Sequence, residues 1–379
     1  VDTFVNFIII PVVLLTILVF AHELGHFLVA RRNNVRVEVF SIGFGAELFG
    51  FNDRHGTRWK FSAIPLGGYV KMFGEGEEME DENAEGEETR PLTQEEKDVS
   101  FHHKRLGQRA AIVVAGPAAN FIFAIVVLGL LFWTVGAPSP LAGIGTVQSG
   151  SAAETAGFQS GDKVVSINGK DVRWFEDLRR IVSASPGAEL TFGIERGAQV
   201  IRLRATPTSH AGVNADGVES EIGLLGVTPD PGMVDYIDVG PLDAAWMGVE
   251  RTYGLTTQIL GALGQMITGA RGTDELGGPI RIAQIIGDIS FSNPVGLVFI
   301  LAALSVNLGL INLFPVPMLD GGHLLFYGIE AILGRPVKPK IQEYSFRFGL
   351  GLVLLLMVFA TWNDLVHSSF IESIRNFIT

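Results

Sequence analysis

His22, Glu23 and His26 form an HExxH pattern inside an apolar stretch, residues 4–30. Residues four apart lie on one helix face one turn apart, so the two imidazoles can share one tetrahedral metal. Glu23 falls beside them, within reach of a water rather than of the metal, and can take its proton as that water attacks a carbonyl. Ionisable groups at the centre of an apolar span cost about 2.5–3.5 kcal/mol each on insertion scales, so three within five residues imply a compensating partner.

Two imidazoles need a third ligand. A second polar cluster interrupts an apolar block at Asn307, Asn312, Pro315, Pro317, Asp320, Gly321, Gly322 and His323. The prolines break a helix and free backbone groups that a buried site can use. Asp320 follows at the end of that block. His22 lies about 27 Å along its helix from Phe4 at 1.5 Å per residue, which puts both clusters at similar depth. His22, His26 and Asp320, with a fourth position open, make a catalytic zinc arrangement, and the imidazoles disfavour magnesium. His323 competes with Asp320 for the third place, its direction left open by Gly321-Gly322. His55, His102 and His103 lie in hydrophilic sequence and read as surface residues.

These residues need helices long enough to carry them. The chain has 379 residues, 47% of them apolar, a fraction that soluble domains also reach. The distribution is more telling: apolar blocks at 4–30, 110–135 and 295–317 each match the roughly 17–25 residues a hydrocarbon core requires, and 348–361 is a shorter fourth. The expected fold is a polytopic α-helical membrane protein with four transmembrane helices. Arg31, Arg32 and Arg36, then Lys104, Arg105 and Arg109, then Arg335, Lys338, Lys340 and Arg347 place 31–109 and 335–347 on the cytoplasmic side. Both termini and 136–294 then lie outside. A cleavable leader is disfavoured, because 4–30 is too long and its removal would discard HExxH.

The net charge of −12 is local: residues 75–98 hold twelve acidic side chains against Arg90 and Lys97. Such a block reads as a solvated loop, and the near-neutral remainder argues against nucleic acid as a partner. The absence of cysteine excludes disulfides and thiolate metal sites. Between the first two spans, 35–49 and 57–69 alternate like strands and predict a membrane-associated β-hairpin, admissible in a bilayer only where protein or water satisfies its backbone. Residues 244–270 have a weak amphipathic pattern expected to lie along the outer surface.

The region 144–228 predicts an inserted α+β domain, with strands at 163–167, 190–195 and 200–205. Ser151 to Gly157, then Gly161-Asp162 to Asn168-Gly169, resemble a PDZ domain. Gly223, Leu224, Leu225, Gly226 and Val227 look like its carboxylate-binding loop, placed at the domain's end as in the circularly permuted bacterial form; such a loop captures a peptide by backbone amides and edge pairing. The expected segments are 1–34, the first span; 35–74, the hairpin; 75–108, the acidic loop; 109–136, the second span; 137–232, the PDZ domain; 233–294, juxtamembrane; 295–334, the third span with its LDG; and 335–379, the fourth span and tail.

HExxH in a first span, a later NxxPxPxLDGG and a PDZ insertion between them resemble the site-2 protease family, and most of all its bacterial regulator-of-sigma-E group. Gly116-Pro117-Ala-Ala-Asn120, Gly67-Gly68-Tyr69-Val70-Lys71-Met72 and Gly277-Gly278-Pro279-Ile280 match too. The resemblance implies one Zn²⁺ per chain on His22, His26 and Asp320, with Glu23 as general base. It also implies that Asn307 and Asn312 help hold an unwound substrate or its oxyanion, that Pro317 belongs to the substrate-binding residues, and that Gly67, Gly68 and Tyr69 belong to an edge strand that pairs with the substrate. Implied partners are the lipid bilayer, single-span substrates of the anti-sigma-factor type after a first cut, and signal-peptide remnants. The implied location is the bacterial inner membrane, with the active site near the cytoplasmic side. Well-known members carry two PDZ domains, whereas this chain has room for one. Two rivals stand beside this reading. Prenyl-protein-processing membrane zinc proteases use a downstream Glu ligand where this chain offers Asp320. A non-catalytic PDZ-bearing scaffold would let the motif decay, yet every ligand and the base are present.

Overall fold

A computed structural model describes residues 4–75, 92–213, 219–270, 272, 277–289 and 293–367. In chain order, a π-turn at Val5–Ile9 leads into α1 (Ile10–Arg32), followed by β1 (Val37–Asn52), β2 (Arg58–Met72), α2 (Gln94–Val99) and α3 (Leu106–Val135). Then come β3 (Ala137–Pro140), β4 (Ile144–Val147), α4 (Ala152–Ala156), β5 (Lys163–Ile167), β6 (Lys170–Asp171) and α5 (Phe175–Ser183). β7 (Leu190–Arg196), β8 (Gln199–Ala205), β9 (Thr208–Val213), β10 (Glu219–Leu224), β11 (Val227–Pro229) and β12 (Val234–Ile237) follow. The chain closes with α6 (Pro241–Ile267), α7 (Pro279–Ile289), α8 (Pro294–Leu313), α9 (Asp320–Leu333) and α10 (Pro339–His367). These elements form two compact units, Val1–Leu130 with Ala245–Thr379, and Leu131–Ala244.

Among the described residues, four helices are long and apolar enough to cross a membrane: Val5–Arg32, Leu106–Val135, Pro294–Leu313 and Pro339–Leu365. Pro11 sits in the first turn of α1, where its missing N–H is harmless. Arg31 and Arg32 in the last turn complement the helix dipole, and Asn34 leaves it with φ 56°. α1 and α3 cross at Gly25, where an added Cβ would stand 2.2 Å from the Ala115 carbonyl oxygen. Close backbone approach of this kind is what small residues permit between apolar helices.

Two boundaries differ from the sequence expectation. The fourth span is not confined to 348–361, because Lys340, Glu343 and Arg347 lie within α10, where Arg347 pairs with Glu343. The third does not run on through 334: α8 stops at Leu313 and α9 begins anew at Asp320. The acidic stretch is also less uniform than a loop. Residues 76–91 lie outside the described residues, but α2 carries a capping box in which Thr93 and Glu96 satisfy each other's backbone amides.

The expected hairpin is a more folded sheet. Residues 37–42 pair antiparallel with 68–72, and 49–52 with 58–61, while 39–42 also lies beside 58–61. The order is therefore 68–72, 37–42, 58–61, 49–52, with 68–72 at one edge. Phe40 is fully buried, stacks on Trp59 at 4.2 Å and meets Phe27 of α1 edge-on, which fastens the sheet to that helix. At the far end Leu48 and Phe49 stay exposed.

The second unit is β-rich, with β6-β5-β7-β8 as its largest sheet. Ile144, Val164, Phe192, Ile194 and Leu178 fill its core. Arg196 grips the nearly inaccessible Asp162 carboxylate with two hydrogen bonds, 2.6 and 2.7 Å.

Candidate metal centre

The ligand atoms of His22, His26 and Asp320 all lie within 4.8 Å of one another. Nε2 of His22 is 3.2 Å from Nε2 of His26, and the two nitrogens are 3.2 and 3.5 Å from Oδ2 of Asp320. Tetrahedral zinc with bonds of about 2.0–2.2 Å spaces its ligands by about 3.3–3.5 Å. That buried Oδ2 has no hydrogen-bond partner. An unsatisfied carboxylate oxygen facing two imidazole nitrogens costs a folded chain free energy unless something cationic joins them. Donor set, spacing and orphaned oxygen all fit one zinc ion.

Each ligand is held from behind. His26 turns Nδ1 to the carbonyl of Ile112 at 2.8 Å, which leaves Nε2 for the metal side. Gly116 makes room for that ring, since a Cβ there would stand 2.2 Å from Nε2. Asp320 is the first residue of α9, after a turn in which Met318 takes φ 92°. Gly321 and Gly322 let that turn fold back, because a Cβ on either would strike the carbonyls of Leu313, Phe314 or Val316 at 2.2–2.5 Å. The LDGG sequence is thus a geometric requirement for bringing Asp320 round to α1.

Glu23 lies outside the ligand group but next to it, with the charges of His26, His22 and Asp320 and the backbone amide of Val70 as its neighbours. A Cβ on Gly68 would come within 3.5 Å of the Glu23 Cγ and 2.7 Å of the Ser41 carbonyl oxygen. The sheet edge containing Gly67, Gly68 and Tyr69 therefore runs past the glutamate. Asn307 and Asn312 are half-buried on α8. Pro317 packs against α10, where a Cβ on Gly349 would meet its carbonyl oxygen at 2.0 Å.

His323 is not among the three ligands. Its ring leans on Phe346 at 5.1 Å and faces a cavity of about 170 Å³ that Glu75 and Arg109 also line. Arg109, counted above as a loop charge, is buried against Glu330 at 2.5 Å and the Tyr327 ring. His55 is exposed and His103 bonds to Ser100.

Two residues escaped sequence reasoning in their roles. Gly116 is one; Asn120 is the other, fully buried with its amide nitrogen 3.1 Å from His22 Nδ1. A polar residue in an otherwise apolar span was the available signal.

In the second unit, Gly223 to Val227 form one wall of a groove of about 560 Å³ whose other wall is Phe175, Leu178, Arg179 and Val182 of α5. Gly226 has φ 81°, and Leu225 is buried.

Two imidazoles and a carboxylate gathered at one point, with a second carboxylate beside them, are the donor set of a metal-dependent hydrolase. The family model described as Peptidase family M50 matches residues 10–356. A protein of Agrobacterium fabrum, whose name classes it by inference as a zinc metalloprotease, is 43% identical over 94% of this chain and 95% of its own. A similarly named protein of Rhizobium meliloti is 44% identical over 93% and 94%. Metalloprotease MmpA of Caulobacter vibrioides is 34% identical over 93% of each chain. Among solved structures, the PDZ domain of an SdrC-like protein from Listeria monocytogenes is 14% identical, covers 23% of this chain and 84% of its own, and has a TM-score of 0.18, too slight a likeness to argue from. The chain belongs to Peptidase family M50, the site-2 protease family, and is a metalloprotease.

Proposed function

We propose that the chain is a zinc protease that hydrolyses a peptide bond within or next to a substrate's membrane-spanning helix. The observation that carries this reading is the position of the triad: two ligands and Glu23 lie on a helix long and apolar enough to cross a membrane. Zinc, the metal in the relatives' names and the one that the donor set fits, supplies polarisation of the scissile carbonyl when bound. Glu23 takes the proton of the attacking water and returns it to the leaving amine. A substrate helix hides its peptide bonds in its own hydrogen bonds, so it must unwind before it is cut. The edge at Gly67, Gly68 and Tyr69 gives the unwound backbone a strand to pair with beside Glu23. Asn307, Asn312 and Pro317 position that backbone from the α8–α9 side.

The β-rich unit acts as a PDZ-type filter whose groove at Gly223 to Val227 takes an extended peptide end. The Lys and Arg distribution favours an inner-membrane protein with 31–109 and 335–347 cytoplasmic, although the burial of Arg109 removes one charge from that count. Substrates of the anti-sigma-factor type after a first cut, and signal-peptide remnants, suit a site that needs a short, unfoldable span.

The test is cleavage of a tagged single-span substrate by the detergent-solubilised protein and by Glu23→Gln, with zinc measured on both. Cleavage by the parent alone, at about one zinc per chain in both, is expected. Equal turnover by the variant would remove Glu23 from the mechanism.

A further inference from the structure

Asn120 lies on α3, outside the ligand group, and is fully buried against the back of His22. Its amide nitrogen stands 3.1 Å from His22 Nδ1, while its own Oδ1 is buried without a partner. Its backbone carbonyl accepts a hydrogen bond from Ser305 Oγ of α8 at 2.8 Å, and Ser305 is itself fully buried. Gly309, one turn further along α8, lies where a Cβ would come within 3.3 Å of the Asn120 Cβ. The side chain is therefore fixed in place by a neighbouring helix, with little freedom other than a half-turn of its amide.

That half-turn matters. An imidazole that binds a metal through Nε2 carries its proton on Nδ1, and Nδ1–H must donate. An amide nitrogen facing it would set donor against donor. Turning the amide over brings Oδ1 to Nδ1–H and gives the orphaned oxygen its partner, and the two orientations fill the same volume. We propose that Asn120 is a positioning residue for the metal: its carbonyl oxygen accepts the His22 Nδ1 proton, fixes the tautomer with Nε2 free, and aims that nitrogen at the ion. Ser305 holds the residue in register from α8, so the helix that leads into the Asp320 turn braces the support of His22.

This proposal rests on the metalloprotease reading. Its test is therefore made on zinc binding rather than turnover. The full-length protein, Asn120→Asp and Asn120→Leu are stripped of metal and titrated with zinc against a chromophoric chelator. Cobalt is then bound in place of zinc and its visible absorption recorded. Loss of a partner behind a ligating histidine weakens metal affinity by about 10–100-fold, and that drop is expected for Leu. Asp keeps an acceptor oxygen at the same distance and should hold zinc within about threefold of the parent, with an unchanged cobalt spectrum. A residue that only packed would rank the variants the other way, because Leu is apolar and similar in size whereas a buried carboxylate is costly. Should Asn120→Leu fail to fold, Asn120→Ala carries the same expected loss. Parent-like affinity in the apolar variant, or equal losses in Asp and Leu, overturns the role of Asn120 alone. A parent chain that takes up no zinc overturns the metal reading and this proposal with it.

Discussion

The imidazole of His26 occupies space that only glycine at position 116 leaves free. Gly116→Ala puts a methyl group into the ring, which must leave either the Ile112 carbonyl or the metal. Zinc affinity should fall by about 10–100-fold, as for loss of a supporting contact, and chelator competition measures it. The neighbouring helix would stay intact, since Ala is the better helix former by about 1 kcal/mol, so circular dichroism should not change. At this scale the sequence was most legible where spacing along one helix sets the chemistry. His22, Glu23 and His26 follow from a 3.6-residue period, and Asp320 from a carboxylate at the end of an apolar block. Gly116 and Asn120 act across an interface between helices, and no local spacing records which residue of α3 faces which residue of α1.

Among the elements, α7 owes its start to a residue far along the chain. Asp364 of α10, 5% exposed, accepts hydrogen bonds from the backbone amides of Gly278, Ile280 and Arg281 at 2.7, 3.0 and 3.1 Å. A carboxylate there satisfies orphaned amides and complements the positive end of the helix. Asp364→Ala should destabilise the α7 start by about 2–3 kcal/mol, as loss of a charged hydrogen-bond acceptor does. Hydrogen exchange at 278–281 should speed up by roughly 30–150-fold, since 1.4 kcal/mol is a factor of ten, while exchange in α1 stays slow. No sequence pattern marks this contact. The GGPI segment was visible as a motif, but its helix was not, because its capping residue comes more than eighty positions later. The sheet of β1 and β2 shows the same limit: alternation identifies strands, but not that 39–42 has neighbours on both sides.

The ribbon of β3 and β12 in the second unit carries a titratable clasp. Arg173 donates to Asp235 at 2.6 Å, and this hydrogen bond holds the aspartate below its ordinary value of 3.8. The folded pKa is depressed, so the clasp contributes fully above 3.8 and is lost as pH falls through the lower folded value. Both groups are solvent-exposed and screened by salt, so the effect should be small. In an NMR titration the Asp235 carboxyl should move up toward 3.8 in Arg173→Gln; an unchanged midpoint would remove the clasp.

For the whole molecule, the proposed orientation assigns a side of the membrane to each loop, and labelling checks that assignment. The chain has no cysteine, so an introduced one is unique. Lys170→Cys and His55→Cys both fall at exposed positions. In right-side-out vesicles an impermeant maleimide should label the first directly, and the second only after the membrane is opened. The reverse pattern would invert the proposed orientation. The four apolar helices and the β-rich insertion could be read from composition and punctuation. The break between α8 and α9 was signalled by Pro315 and Pro317, although the length of α10 was not, because its first turns carry charge.

The ordering of the ligands along the polypeptide also sets a timetable. His22 and His26 emerge early from the ribosome, Asn120 after them, and Asp320 only once α8 has been made and the chain has turned at Gly321 and Gly322. Two imidazoles without their carboxylate leave the ion short of a ligand, so the growing chain passes most of its synthesis unarmed. The metal site of this metalloprotease is therefore complete only after α8 and the turn that follows it have been made, whatever the order in which the helices pack.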